Sequence, residues 1–187
     1  MEAVKELLDA LPDLPRVTKV AAAMDENGGG RTTLHFVPRK DIDANLCQHW
    51  AVYPGSDGHE VDVFWYAKSL ASIGQPHPHL KAMLRDVNRL DLLASRQVPV
   101  LSWGLLCEQY NVTSVDVVQL DCEGKDAAIV RGLAKYCEKH PAAWPRVIQF
   151  EANQLTPVLE VHHAVGLLQQ NGYFVRYWTS CNILLER

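Results

Sequence analysis

The sequence predicts an α/β protein built on a mainly parallel sheet, and three observations carry that expectation. Two short apolar segments, 115–120 (VDVVQL) and 145–150 (PRVIQF), are each followed directly by an acidic residue and then by a stretch with helical periodicity. The alternation of strand and helix at this spacing calls for right-handed crossovers between parallel strands. The last two strand-like segments, 173–178 and 182–186, are separated only by Thr179 to Cys181, too short a link to cross over, so that closing pair must be antiparallel.

Taken in order, residues 1–12 place Val4, Leu7, Leu8 and Leu11 on one helical face, and Pro12 and Pro15 end it. Residues 17–37 read as a β-hairpin: an apolar run from Val20 to Met24, a turn at Asn27 to Gly30, then Thr32 to Val37 with strand composition. Residues 38–97 carry scattered aromatics (Trp50, Tyr53, Phe64, Trp65, Tyr66), a Gly-Ser-Asp-Gly turn at 55–58 and the segment Gly74-Gln75-Pro76-His77-Pro78-His79, and read as an irregular region. Val98 to Leu101 follows as a short strand, and Ser102 caps a helix through Trp103, Leu105, Leu106 and Cys107. After the strand at 115–120, Ala127, Ala128, Val130, Gly132, Leu133, Ala134 and Cys137 line a helix over 125–138. Thr156 and Pro157 open the next helix, which carries Leu159, Val161, Val165, Leu167 and Leu168 until Gly172 stops it. The whole chain, 1–187, reads as a single domain, irregular over 1–97 and regular over 98–187.

Composition narrows the function classes. With 187 residues, 48% of them hydrophobic and 21% charged, the chain can bury a sizeable core. Its net charge is −4 and it has no long run of like charges, which argues against nucleic acid and anionic membrane as partners. No apolar run approaches the roughly 18 residues of a membrane span, and acids interrupt the opening segment where a signal peptide would be apolar. The five cysteines form no CxxC pair, so neither a disulfide framework nor a zinc ribbon is expected, and a reducing compartment such as the cytoplasm is the simplest location.

Chemistry is expected outside the carboxyl ends of the strands, where polar side chains reach a crevice without breaking the apolar layer. Asp121 and Glu123 follow one strand and Glu151 the next, so three carboxylates converge if those strands are neighbours. Asp121 can equally serve as the cap of the helix that follows. Gly124 permits close approach of a ligand or another chain segment to the backbone. His77 and His79, two apart in what reads as an extended segment, put their imidazoles on one side, but no third ligand accompanies them and no metal site is assigned. The glycines at 28–30 lie in a turn that opens no helix, and so do not read as a cofactor loop.

The segments VDVVQLDCEGKDAAIVRGL (115–133), PRVIQFEAN (145–153) and LLQQNGYFVRYWTSCNILL (167–185), in this order, resemble the C-terminal half of the FkbM family of S-adenosylmethionine-dependent methyltransferases. The shared features are a strand ending in Asp-x-Glu-Gly, a helix with an Arg-Gly segment, a strand ending in Glu, and a Gly-Tyr before the last strands. More loosely, the region from Ala22 through Asp25 to Thr33 is similar to the family's hairpin, and Ser69 to Ser72 with Gly74 and Pro76 to Pro78 resembles a segment of some members. The resemblance implies a Rossmann-like methyltransferase sheet, N-terminally truncated, because the glycine-rich loop after the family's first strand and the acid after its second have no counterpart in these residues.

By that resemblance the chain is expected to transfer a methyl group from S-adenosylmethionine to a hydroxyl of a small or glycosidic substrate. Asp121, Glu123 and Glu151 would border the transfer site as catalytic candidates, Asn153, His77 and His79 would contact substrate, and Gly124 would lie by the cofactor. The alternative is a non-catalytic remnant of the fold that serves as a binding or assembly subunit. A metal-dependent hydrolase on the same acids and histidines lacks any recognisable ligand spacing. An apolar strand at 115–120 without its usual neighbours would expose an edge, which calls for cover by the folded-back hairpin of 17–37, a second copy in a homodimer, or a partner chain.

Overall fold

In chain order, Ala23–Met24 (β1) and Arg31–Phe36 (β2) are followed by Arg39–Asn45 (α1), Trp50–Val52 (β3), Glu60–Asp62 (β4), Val63–Ala67 (α2), Ser72–Ile73 (β5) and Pro78–Asp86 (α3). Ala94–Leu101 (β6) leads to Trp103–Tyr110 (α4), Val117–Gln119 (β7), Asp126–Lys139 (α5), Val147–Glu151 (β8), Val158–Gln170 (α6), Phe174–Trp178 (β9) and Asn182–Glu186 (β10). The computed structural model describes residues 8, 9, 12–52 and 58–187. The chain divides into two units, one made of residues 1–23 and 31–99 and the other of 24–30 and 100–187. Most of the helix expected over 1–12, and most of the turn at 55–58, lie outside the described residues.

The hairpin expected over 17–37 does not form. β6 lies between β1 and β2 in a sheet of order β1-β6-β2-β5, and β2 pairs antiparallel with β6 from Arg31 opposite Pro99 to Phe36 opposite Ala94. The turn itself is bonded to β6. Gly28, Gly29 and Gly30 all have positive φ, and this wider turn exchanges hydrogen bonds with Val100: Gly29 N–H donates to its carbonyl at 2.9 Å and its N–H donates to Gly30 at 3.2 Å. A Cβ on Gly28 would stand 2.0 Å from the Ser102 nitrogen.

Within the first unit, the described residues of the region read as irregular contain the helices α1, α2 and α3 and the short strands β3, β4 and β5. Val37, Ile42, Val63, Phe64, Leu80, Met83 and Leu84 form one buried cluster there. Asp62 caps α2 by accepting from the N–H groups of Phe64 at 2.9 Å and Trp65 at 3.2 Å. The Pro-His-Pro-His segment is the start of a helix: Pro78 occupies its first turn, where the missing N–H costs nothing.

The second unit keeps the expected β7-α5-β8-α6-β9-β10 series, and Ser102 caps α4 by accepting from Leu105 N–H at 3.2 Å. Its four-stranded sheet has the order β7-β8-β10-β9. β7 and β8 are parallel, whereas β10 runs antiparallel to both β8 and β9. Across both units, β7 with β8 is the one parallel pair among the ladders of described register, so the sheets are mixed rather than mainly parallel. The short return after Trp178 forces this, since the last strand inserts antiparallel between β8 and β9.

Val118, Ile148, Phe150, Ile183 and Leu185 point to one side, where they pack with Ile129, Val130 and Leu133 of α5 and Val161, Val165 and Leu168 of α6. Each such side chain contributes about 2 kcal/mol of burial. Alternate residues on the other side are half-buried or exposed, Val117 at 54%. β7 is therefore a strand buried on one face, and it stands at the sheet edge bonded to β8 alone among the described residues.

The segment 24–30 is tied into this unit by charge. Glu26 pairs with Arg131 at 3.0 Å and Lys135 at 2.5 Å, and Arg131 also meets Glu160 at 2.7 Å. Among the described residues no helix is long and apolar enough to cross a membrane. All five cysteines are free thiols.

Candidate functional site

The parallel pairing of β7 and β8 brings two acidic strand ends side by side. Leu120 N–H still donates to Gln149 at 2.9 Å, so the two chains stay in register until Asp121 and Glu151. Glu123 and Gly124 then take positive φ values of 49° and 92° and turn the chain into α5. The glycine tolerates this freely, whereas Glu123 does so under constraint.

The residue that organises this end is Asp126, which sequence reasoning passed over. It is wholly buried in the first turn of α5, and its carboxylate accepts from Cys122 N–H at 3.1 Å and from Glu151 N–H at 3.4 Å. One side chain thus ties both strand ends to the helix. The capping role considered for Asp121 is not seen, since the residue before α5 is Lys125 and no side chain caps that end. Nothing in the motif separates Asp126 from the ordinary acids of helix first turns, and only its burial does.

Electrostatics here is dominated by desolvation. Glu151 is half-buried, one carboxylate oxygen has no hydrogen-bond partner, and burial, then the negative charges of Glu123, Asp121 and Asp126, push its pKa up to about 7. A hydrogen bond from the Asn153 side chain works in the opposite direction. Burial likewise raises Asp126 to about 6, against the pull of its backbone donors, and raises Asp121, with Glu123 adding to the effect. The Cys122 thiol is driven up to about 12 by burial and by Asp126, so it is no nucleophile near neutral pH.

Asn153 accepts from Leu155 N–H at 2.8 Å while hydrogen-bonding Glu151, and so joins the acids to the loop after β8. That loop, the start of α6 and the end of β9 line a half-open cavity of about 430 Å³. Gly124 faces protein: a Cβ there would lie 3.0 Å from Leu155 Cβ and 3.1 Å from its carbonyl oxygen. His77 and His79 belong to the first unit and the acids to the second. His77 is buried at the start of α3, where Nδ1 accepts from His79 N–H at 3.2 Å and the two rings meet edge to face at 5.2 Å. The extended arrangement expected for this pair is replaced by a helix start. Among the described residues no group of three or more His, Cys, Asp or Glu side chains is placed to hold a metal ion.

No family model, no curated protein and no solved structure matches this chain.

Proposed function

We propose that the chain is an S-adenosylmethionine-dependent O-methyltransferase of the FkbM type, acting on a hydroxyl of a small or glycosidic substrate, with Glu151 as the base that takes the hydroxyl proton. The observation that carries this reading is the state of Glu151 at the carboxyl end of β8: half-buried, with one oxygen unpartnered and a pKa raised to about 7. A general base works best when its pKa lies near the operating pH. Asp121 and Glu123 support it by holding that pKa up, Asp126 by fixing the strand end that bears it, and Asn153 by orienting the carboxylate. The order of elements, with acids after two adjacent parallel strands and an antiparallel closing pair, agrees with the sequence resemblance.

The cofactor fits less well. The site expected at Gly124 is filled by Leu155, so that glycine serves a protein contact and forms no cradle. This favours the second reading, a methyltransferase-like fold retained as a binding or assembly subunit. Calorimetric titration of the purified chain with S-adenosylmethionine separates the two. A dissociation constant in the low micromolar range, about −8 kcal/mol, together with methyl transfer to a hydroxyl that rises through about pH 7 and falls about a hundredfold in Glu151→Gln, supports the enzyme. No binding at millimolar cofactor leaves the binding-subunit reading.

A further inference from the structure

The cavity beside the acids is uncharged. Asn153, Gln154, Thr156, Val161, Trp178 and Ser180 line it, and none of its wall residues carries a formal charge. At about 430 Å³ it falls in the size range of small-ligand sites, which combine apolar walls with a few oriented polar groups. No side chain in its wall offers a charge to pair with an ionic ligand.

Two features indicate what would be gained instead. Thr156 is only 6% exposed, yet its hydroxyl has no hydrogen-bond partner. Such a group is costly to leave unpaired, and Thr156 does not cap α6, the role its position suggested. Trp178 forms the opposite kind of wall. Its ring lies against His162 at 5.2 Å between centroids, while 43% of the residue remains exposed. An indole face with amide and hydroxyl groups around it suits a ring that has apolar C–H bonds on its face and hydroxyls at its rim.

We propose that this cavity binds a neutral pyranoside, stacked on Trp178 and hydrogen-bonded by Asn153, Gln154, Thr156 and Ser180. This rests on the hydroxyl-directed function proposed above and names its substrate class. Asn153 makes the link, because the same side chain lines the cavity and hydrogen-bonds Glu151.

The test is equilibrium binding, without methyl donor, of the full chain to the methyl glycosides of glucose, galactose, mannose, xylose and rhamnose, with glucuronate and adenosine as comparisons. At least one neutral glycoside should saturate the protein, and glucuronate should bind about tenfold more weakly or worse. Trp178→Ala should weaken binding about tenfold or more, and the near-isosteric Thr156→Val should weaken it while leaving the fold intact. No saturation by any glycoside up to about 50 mM, five times a 10 mM dissociation constant, overturns the proposal, as does tighter binding of adenosine than of every glycoside, or binding indifferent to both substitutions. Glycoside binding without methyl transfer would remove the methyltransferase and leave the pocket standing, whereas methyl transfer without glycoside binding would do the reverse.

Discussion

Asp126, two residues past the Asp-x-Glu-Gly motif, ties two strand ends to a helix. Its carboxylate is the partner of two backbone N–H groups, those of Cys122 and Glu151. Asp126→Ala leaves both donors without it in a poorly solvated place, and we expect a loss of about 2–4 kcal/mol in urea unfolding. Asp126→Asn, which keeps an acceptor, should lose clearly less. A loss below about 1 kcal/mol for the alanine variant would mean that water or another group replaces the carboxylate. Asp121 and Glu151 could be read as site candidates because each directly follows an apolar run. Asp126 could not, because an acid in a helix first turn is common on the surface and its burial arises only when two strands and a helix meet.

At the scale of elements, the turn into α5 depends on Gly124. Its φ of 92° and the 3.0 Å approach of Leu155 both exclude a side chain, so Gly124→Ala should destabilise the protein by about 1–3 kcal/mol, read as a lower unfolding midpoint. β7 makes a different prediction. It is hydrogen-bonded on one side only among the described residues, and Val117 and Gln119 are exposed. The amides of this strand whose N–H groups face away from β8 should exchange rapidly in dilute monomer, and protection that grows with protein concentration would show that a second chain covers the edge. The regular helices and strands of the second half were legible because each keeps one period for several residues. Most elements between 38 and 97 were not, since β3, β4 and β5 have two or three residues and α2 five, while the nine-residue α3 opens in a Pro-His-Pro run that reads as extended.

For the molecule as a whole, the buried acids set how stability varies with pH. Glu151 and Asp126 titrate near 7 and near 6 in the folded state, above the ordinary values of about 4.3 and 3.9. Between about pH 4 and 7 the folded state therefore holds protons that the unfolded state has released, and stability falls as pH rises through that window. Glu151→Gln should flatten the decline and raise the unfolding free energy at about pH 8 by an amount on the order of 2 kcal/mol, even as it removes the proposed base. Equal slopes for the two proteins would show that Glu151 titrates as a surface acid does. Local periodicity, composition and loop length suffice for the kinds and order of elements in the second half, the acids at two strand ends and the antiparallel closing pair. They do not reach the placement of β6 between β1 and β2, the single helix-bearing face of the β7–β8 sheet, the occupation of the space at Gly124 by Leu155, or the cavity that Thr156 and Trp178 share. Those outcomes depend on which distant segments win the competition to pack together, and no local pattern records the winner.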